Sequence, residues 1–152
     1  MVIRAPLQRV FGLAQDVERW PEILPHYRWV RMLERRPDGG RVEMAAWRPF
    51  GPAPLRYPTW WVSEMWVEPD GGQPVIRYRH IAGITAGMDV RWVLTAAPGG
   101  GGTVAVEIVH QWSGPAWPLI GGLAASLVIG PVFVHGIASR TPAGIRATAE
   151  AA

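Results

Sequence analysis

Histidines and one tyrosine are the side chains of this 152-residue chain best suited to proton transfer. In PVIRYRHIAG, strand alternation places Tyr78 and His80 on one face. In TVAVEIVHQW, the same alternation places His110 and Trp112 together. A neutral imidazole has an ordinary pKa of about 6.5, so an imidazole in an apolar cavity is well suited to acid–base chemistry. A hydrogen bond from each imidazole to a backbone carbonyl is the alternative, purely structural interpretation.

The spacing of these histidines argues against a metal site. Zinc needs three or four ligands that converge on one ion. The predicted strands of His80 and His110 are separated by the strand GMDVRWV, which puts the two side chains roughly 9 to 10 Å apart. Asp89 on that middle strand points to the opposite face. Cysteine is absent, which excludes thiol catalysis and thiolate ligands. We therefore expect neither a metal ion nor a cofactor.

Other sequence motifs for catalysis or phosphate binding are not supported. The run APGGGG precedes a strand and lacks the Lys-Ser/Thr pair of a phosphate-binding loop, so it is interpreted as a hairpin turn. No Gly-x-Ser-x-Gly elbow is present. All 15 cations are arginines, interspersed with acids, and the formal charge is +3. This pattern indicates a mixed surface, and we expect no nucleic-acid partner.

The N-terminal segment predicts two short helices with a break. Residues 7–14 have the spacing of an amphipathic helix. Asp16 is expected to cap a second helical turn. Two prolines follow, and each is expected to move the residue before it, Trp20 and Leu24, out of helical geometry. The segment is therefore interpreted as a broken helix.

Six strand-like runs follow and form three hairpins with Gly-rich turns. A short edge strand from MVIRA would complete an antiparallel sheet in an α+β arrangement, with the last helix across one face. Alternation places Met88, Val90 and Trp92 on the inner face. Aromatics occupy both faces of 55–69, so the orientation of that strand is left open. The predicted strands are 27–36, 41–49, 55–69, 74–83, 86–96 and 103–112.

The apolar segment LIGGLAASLVIGPVFVHGIA, residues 119–138, is long enough in principle to span a bilayer. Pro131 and His135 interrupt it, and Thr141 and Ile145 continue an apolar helical face beyond it. We therefore expect a buried helix, with His135 between its apolar and polar sides. The N-terminal residues lack the apolar core of a secretory signal, so a soluble, cytoplasmic protein is expected.

The element order and three sequence segments resemble the polyketide cyclase/dehydrase family of the START-related, helix-grip (SRPBCC) superfamily. The segments are APLQRVFGLAQDVERWPEILP, GMDVRWVLTAAPGGGGTVAVEIVHQW and FVHGIASRTPAGIRATAE. The resemblance implies a helix-grip fold, in which a curved antiparallel sheet of about seven strands surrounds a long C-terminal helix and leaves a deep cavity. Trp20 would close the mouth of that cavity, although simple core packing also explains it. Pro142 departs from the family, whose helices usually carry leucine there.

The resemblance implies a single START-like domain over residues 1–152 that binds or carries a hydrophobic, aromatic or polycyclic small molecule. An alternative is a cofactor-independent polyketide aromatase/cyclase, in which His80, His110 and Tyr78 move protons during ring closure and dehydration. A further alternative is a quinone or lipid chaperone that makes peripheral membrane contact through its apolar C-terminal region. The oligomeric state is left open. The predicted ligand-binding residues are Trp20, Tyr78, His80, Met88, Val90, Trp92, His110, Trp112 and His135.

Overall fold

The computed structural model describes residues 1–49, 56–70, 73–98, 102–113 and 140–151. It confirms the α+β helix-grip arrangement. His135 and the apolar segment 119–138 lie outside the described residues. The membrane contact predicted for this segment therefore concerns residues that the structure does not describe. The elements are β1 (Val2–Ile3), α1 (Leu7–Gln15), a 3₁₀ helix (Val17–Arg19), α2 (Trp20–Ile23), β2 (Tyr27–Arg36), β3 (Gly39–Pro49), β4 (Arg56–Asp70), β5 (Gln73–Gly83), β6 (Asp89–Ala96), β7 (Val104–Gln111) and α3 (Arg140–Glu150).

The strands form one seven-stranded sheet in the order β1-β7-β6-β5-β4-β3-β2, and every neighbouring pair is antiparallel. The three predicted hairpins are therefore confirmed. The register shifts between Val62 and Ser63 where β4 pairs with β5. At this point Gly83 has φ +89°, and a Cβ there would clash with the carbonyl oxygen of Trp60. Glycine is thus required where the two strands bend.

The inner face of the sheet matches the alternation in the sequence. Val90, Trp92 and Leu94 of β6 are buried, and β6 also presents Arg91 to solvent. The orientation of β4 is now defined, since Trp61 is 4% exposed and faces inward, whereas Trp60 is 42% exposed. The outward indole donates a hydrogen bond to a carboxylate of β3, that of Glu43.

The N-terminal segment differs from the prediction at two residues. Trp20 is helical, with φ −56° and ψ −38°, because Pro21 lies in the first turn of α2, where a missing N–H costs no helical hydrogen bond. Asp16 begins the 3₁₀ helix but makes no capping hydrogen bond with its side chain. Leu24 leaves helical geometry, as predicted.

Helix α3 packs against the N-terminal helices and closes one side of the core. Ile145 of α3 is 1% exposed and Leu24 is fully buried. Gly144 lies against Leu24, and a Cβ at this position would clash with the leucine side chain. Pro142 is buried within α3, and the helix continues to Glu150. In the described part of the chain, no helix has the length and hydropathy needed to cross a membrane.

Candidate functional site

A cavity of about 60 Å³ lies between the inner face of the sheet and the helices α2 and α3. This volume can take one end of a ligand, since pockets that enclose a whole drug-sized molecule measure roughly 300 to 1,000 Å³. The lining is mostly apolar and aromatic, with a few polar groups. The described lining residues are Trp20, Tyr27, Met44, Arg48, Trp61, Tyr78, His80, Met88, Val90, Trp92, Ile108, His110 and Thr141.

Aromatic rings form one wall of this cavity around Trp20. Its ring stacks on Trp92, with centroids 5.8 Å apart and planes at 29°, and meets the edge of Tyr27 at 5.2 Å. The ring of Tyr78 lies 6.3 Å away. The indole N–H of Trp20 donates to the carbonyl of Leu13, 3.0 Å away, which fixes the ring between α1 and the sheet. The aromatic wall is therefore held by contacts within the protein itself.

Arg48 places a cation inside this aromatic cavity. It lies on β3, is 5% exposed, and its guanidinium carbon is 5.8 Å from the centroid of Trp61. Burial lowers the pKa of Arg48 to about 10, so the side chain remains charged at neutral pH. The mixed pattern of arginines and acids predicts a surface position for Arg48, and this prediction is wrong. Alternation in RVEMAAWRP predicts the inward position, because Val42, Met44 and Arg48 lie an even number of residues apart and therefore on the same face of the strand.

The hydroxyl of Tyr78 is the second polar group at the cavity. Tyr78 is 5% exposed, and in the described part of the chain its buried hydroxyl has no hydrogen-bond partner. Burial raises its pKa well above the ordinary value of a tyrosine. The hydroxyl is therefore neutral and retains both its donor and its acceptor capacity.

His80 and His110 both lie at the cavity, as the alternation predicted. Burial lowers the pKa of His80 to about 3 and also lowers the pKa of His110, so both imidazoles are neutral at pH 7. The ring of His80 stacks on Trp61 at 5.9 Å and 13°, and its Nδ1 lies 2.5 Å from Oγ1 of Thr85. In the sheet, His110 pairs with Val90, which pairs in turn with Tyr78.

Most of the predicted ligand-binding residues thus come together, with Met88, Val90 and Trp92 also in the lining. Trp112 does not join them. It follows the end of β7, and its indole N–H donates to the carbonyl of Ala86, 3.2 Å away. Strand pairing ends with Asp89 and Gln111, so alternation no longer governs the orientation of Trp112. The described lining residues that are absent from the predicted ligand-binding set are Tyr27, Met44, Arg48, Trp61, Ile108 and Thr141.

A buried polar contact connects the sheet side of the cavity to α3. Nε2 of His26 lies 3.1 Å from Oγ1 of Thr141. Burial, with Arg140 and Arg48 nearby, lowers the pKa of His26 to about 4. The described residues contain no group of three or more histidines or carboxylates that could hold a metal ion.

A second, larger groove of about 400 Å³ lies between the end of α1 and the β2–β3 hairpin. Its lining mixes exposed ion pairs, such as Arg35 with Glu18, with apolar side chains that include Met32 and Met65. The cavity at Arg48 is the stronger candidate site, because buried polar groups with perturbed pKa values converge there in apolar surroundings.

A family model described as "Polyketide cyclase / dehydrase and lipid transport" matches residues 3–130. The chain belongs to this family. A Streptomyces halstedii protein named "Putative polyketide cyclase" is similar to it, with 32% identity over 100 residues that make up 66% of this chain and 87% of that protein. The sequence similarity to this relative therefore extends over about two thirds of this member of the polyketide cyclase / dehydrase and lipid transport family.

Solved structures extend the likeness in fold. The Zhui aromatase/cyclase from Streptomyces sp. R1128 superposes with a TM-score of 0.75 at 16% identity, covering 99% of this chain and 90% of that one. A STAR-related lipid transfer protein from Xanthomonas axonopodis superposes with a TM-score of 0.60 at 14% identity, covering 97% and 81%. At these identities the likeness shows the fold of this family member.

Proposed function

We propose that this protein binds or carries a hydrophobic small molecule with an aromatic ring and at least one oxygen atom. The observation that carries the proposal is the buried hydroxyl of Tyr78, which has no hydrogen-bond partner in the described part of the chain. An unsatisfied buried hydroxyl costs about 1 to 3 kcal/mol. A ligand oxygen that bonds to this hydroxyl would recover that cost upon binding.

The surroundings of Tyr78 support an aromatic ligand with an oxygen atom. Trp20, Trp61 and Trp92 contribute aromatic surface to the cavity lining, against which a ligand ring can pack. Arg48 offers a charged donor in the same cavity, where low polarity strengthens a hydrogen bond to a carbonyl or phenol oxygen. A small number of polar groups is enough to orient a ligand in an apolar cavity. The desolvation cost of burying many polar groups is thereby avoided.

Fluorescence titration with 1-naphthol and naphthalene tests this proposal. Both ligands should quench tryptophan emission saturably, because Trp20, Trp61 and Trp92 line the cavity. Tyr78→Phe should weaken 1-naphthol binding by roughly 2- to 13-fold, the value of one hydrogen bond, and leave naphthalene binding unchanged. The variant Trp60→Phe removes an outward indole and should not alter either titration. Equal losses for both ligands in Tyr78→Phe would contradict the proposal.

A second candidate function, polyketide aromatase/cyclase, is supported by the neutral imidazole of His110 in the same cavity as Arg48. In an aldol ring closure, a base takes a proton from a carbon between two carbonyls. The resulting enolate attacks a third carbonyl, and loss of water follows after protonation. His110 has a free base form at pH 7, and Arg48 can stabilise the oxyanion. The name of the Streptomyces halstedii relative points to the same chemistry.

Turnover of a poly-β-keto substrate distinguishes the two functions. In a cyclase, His110→Gln should lower turnover by roughly 100- to 10,000-fold, since it removes a proton-transfer group, while ligand affinity barely changes. In a carrier, the wild type should convert the substrate no faster than buffer does.

A further inference from the structure

We infer that Thr85 holds His80 in the tautomer with its proton on Nε2, so that His80 presents a hydrogen-bond donor to a ligand in the cavity. The tautomer is a property of the protein itself. The role toward a ligand rests on the proposed function.

The assignment follows from the protons available in this contact. Thr85 is fully buried, so its hydroxyl cannot donate to solvent. In the described part of the chain, the only hydrogen-bond partner of that hydroxyl is Nδ1 of His80, 2.5 Å away. If Nδ1 carried the imidazole proton, the hydroxyl proton of Thr85 would be buried without an acceptor, at a cost of about 1 to 3 kcal/mol. The hydroxyl therefore donates to Nδ1, and the ring proton is on Nε2.

The turn between β5 and β6 fixes Thr85 relative to the imidazole. The N–H of His80 donates to the carbonyl of Met88, and the carbonyl of His80 accepts from the N–H of Gly87, both at 2.9 Å. Gly87 has φ +86°, a left-handed conformation that glycine adopts without strain. On the other side, the ring of Trp61 stacks on the imidazole. The ring is thus held from two sides, and Nε2 is the nitrogen left for the cavity.

This tautomer changes the expected chemistry of the site. Nε2 of His80 has a proton and no free lone pair, so it donates and does not serve as a base. Arg48, Tyr78 and His80 together then offer donors, which favours a ligand with acceptor oxygens, such as a ketone, quinone, enolate or phenolate. If the protein is a cyclase, the base function belongs to His110 and His80 acts as a hydrogen-bond donor.

Imidazole ¹⁵N NMR of ligand-free protein with labelled histidines tests the tautomer. The resonances of His80 are assigned by their loss in His80→Gln. In the wild type, Nδ1 should have the shift of a hydrogen-bonded pyridine-type nitrogen, and Nε2 that of a protonated, pyrrole-type nitrogen. A pyrrole-type Nδ1 would overturn the inference.

Two variants test whether Thr85 positions the imidazole. Thr85→Val keeps the shape of the side chain and removes the hydroxyl, so the Nδ1 resonance should move to the shift of an unbonded nitrogen or show a mixture of tautomers. Thr85→Ser restores the hydroxyl and should restore the wild-type shift. An Nδ1 shift in Thr85→Val identical to that of the wild type would refute the role of Thr85.

Titration with 1,4-naphthoquinone tests the donor role, with naphthalene as the matched ligand without oxygen. The quinone should shift the Nε2 resonance, and naphthalene should leave it nearly unchanged. Saturable quenching by the quinone without a shift of Nε2 would overturn the donor role. If neither ligand binds, the proposed function fails, whereas the tautomer result in ligand-free protein stands or falls by itself.

Discussion

Replacing Arg48 with methionine should stabilise the protein and impair ligand binding. Burial lowers the pKa of Arg48 to about 10. At about 1.4 kcal/mol per pKa unit, the folded state disfavours the charge by roughly 3 kcal/mol. The folded chain binds this proton less tightly than the unfolded chain does. The penalty is therefore fully present at pH 7 and is relieved only as the pH rises above about 10.

Methionine is similar in length and apolar, so Arg48→Met removes the penalty but also loses the contacts of the guanidinium. We expect a net increase of about 1 to 2 kcal/mol in the free energy of unfolding, or roughly 2 to 8 °C in Tm. The affinity for 1-naphthol should fall roughly 10- to 100-fold, since a hydrogen bond to a charged group is lost. Urea denaturation and fluorescence titration measure the two effects.

The control for this prediction is Arg31→Met, which removes an exposed guanidinium 4.7 Å from the ring centroid of Trp29. It should change stability by less than about 0.5 kcal/mol and leave binding unchanged. A loss of stability in Arg48→Met together with unchanged affinity would refute the reasoning, because the cation would then be structural.

Two further predictions concern stability. The pKa of His26 is lowered to about 4, so the unfolded chain binds a proton that the folded chain excludes between about pH 6.5 and 4, and stability is lost as the pH falls through this window. His26→Gln should reduce the slope of unfolding free energy against pH by about 1.4 kcal/mol per pH unit near pH 5; an unchanged slope in urea denaturation would contradict this. Gly144→Ala should destabilise the protein by up to about 2 kcal/mol, since the added methyl group clashes with the buried side chain of Leu24. The matched control is Gly12→Ala, which has open space around its Cβ and should stabilise α1 by about 0.5 to 1 kcal/mol. Equal effects of the two alanines on Tm would show that α3 packs differently.

The sequence predicted the sheet and most of its inner face because strand alternation is strict where strands pair. Tyr78, Val90 and Trp92 lie in the cavity wall for this reason. Alternation does not extend to Trp112, which follows the last paired residue of β7 and packs against the core without appearing among the described lining residues. The backbone prediction at Trp20 was wrong, because its helical conformation depends on the position of Pro21 in the first helical turn.

Other parts of the site needed the folded structure. Strand alternation places Arg48 on the inner face of β3, whereas its charge predicts an exposed position. The structure shows that the side chain is buried at the cavity. In β4, aromatics on both faces and the shift in register near Val62 concealed the inward orientation of Trp61. The contact between Thr85 and His80 depends on the geometry of a tight turn, which hydrophobic periodicity does not encode.

The central claim, that the ligand binds in the cavity at Arg48, can be tested through the five methionines, which report on separate regions of the molecule. Met44 and Met88 line the cavity, Met32 and Met65 line the second groove, and Met1 is exposed. With methyl-labelled methionines and saturating 1-naphthol, intermolecular NOEs should connect the ligand to Met44 and Met88. NOEs to Met32 and Met65 without any to Met44 and Met88 would place the ligand in the groove and contradict the claim.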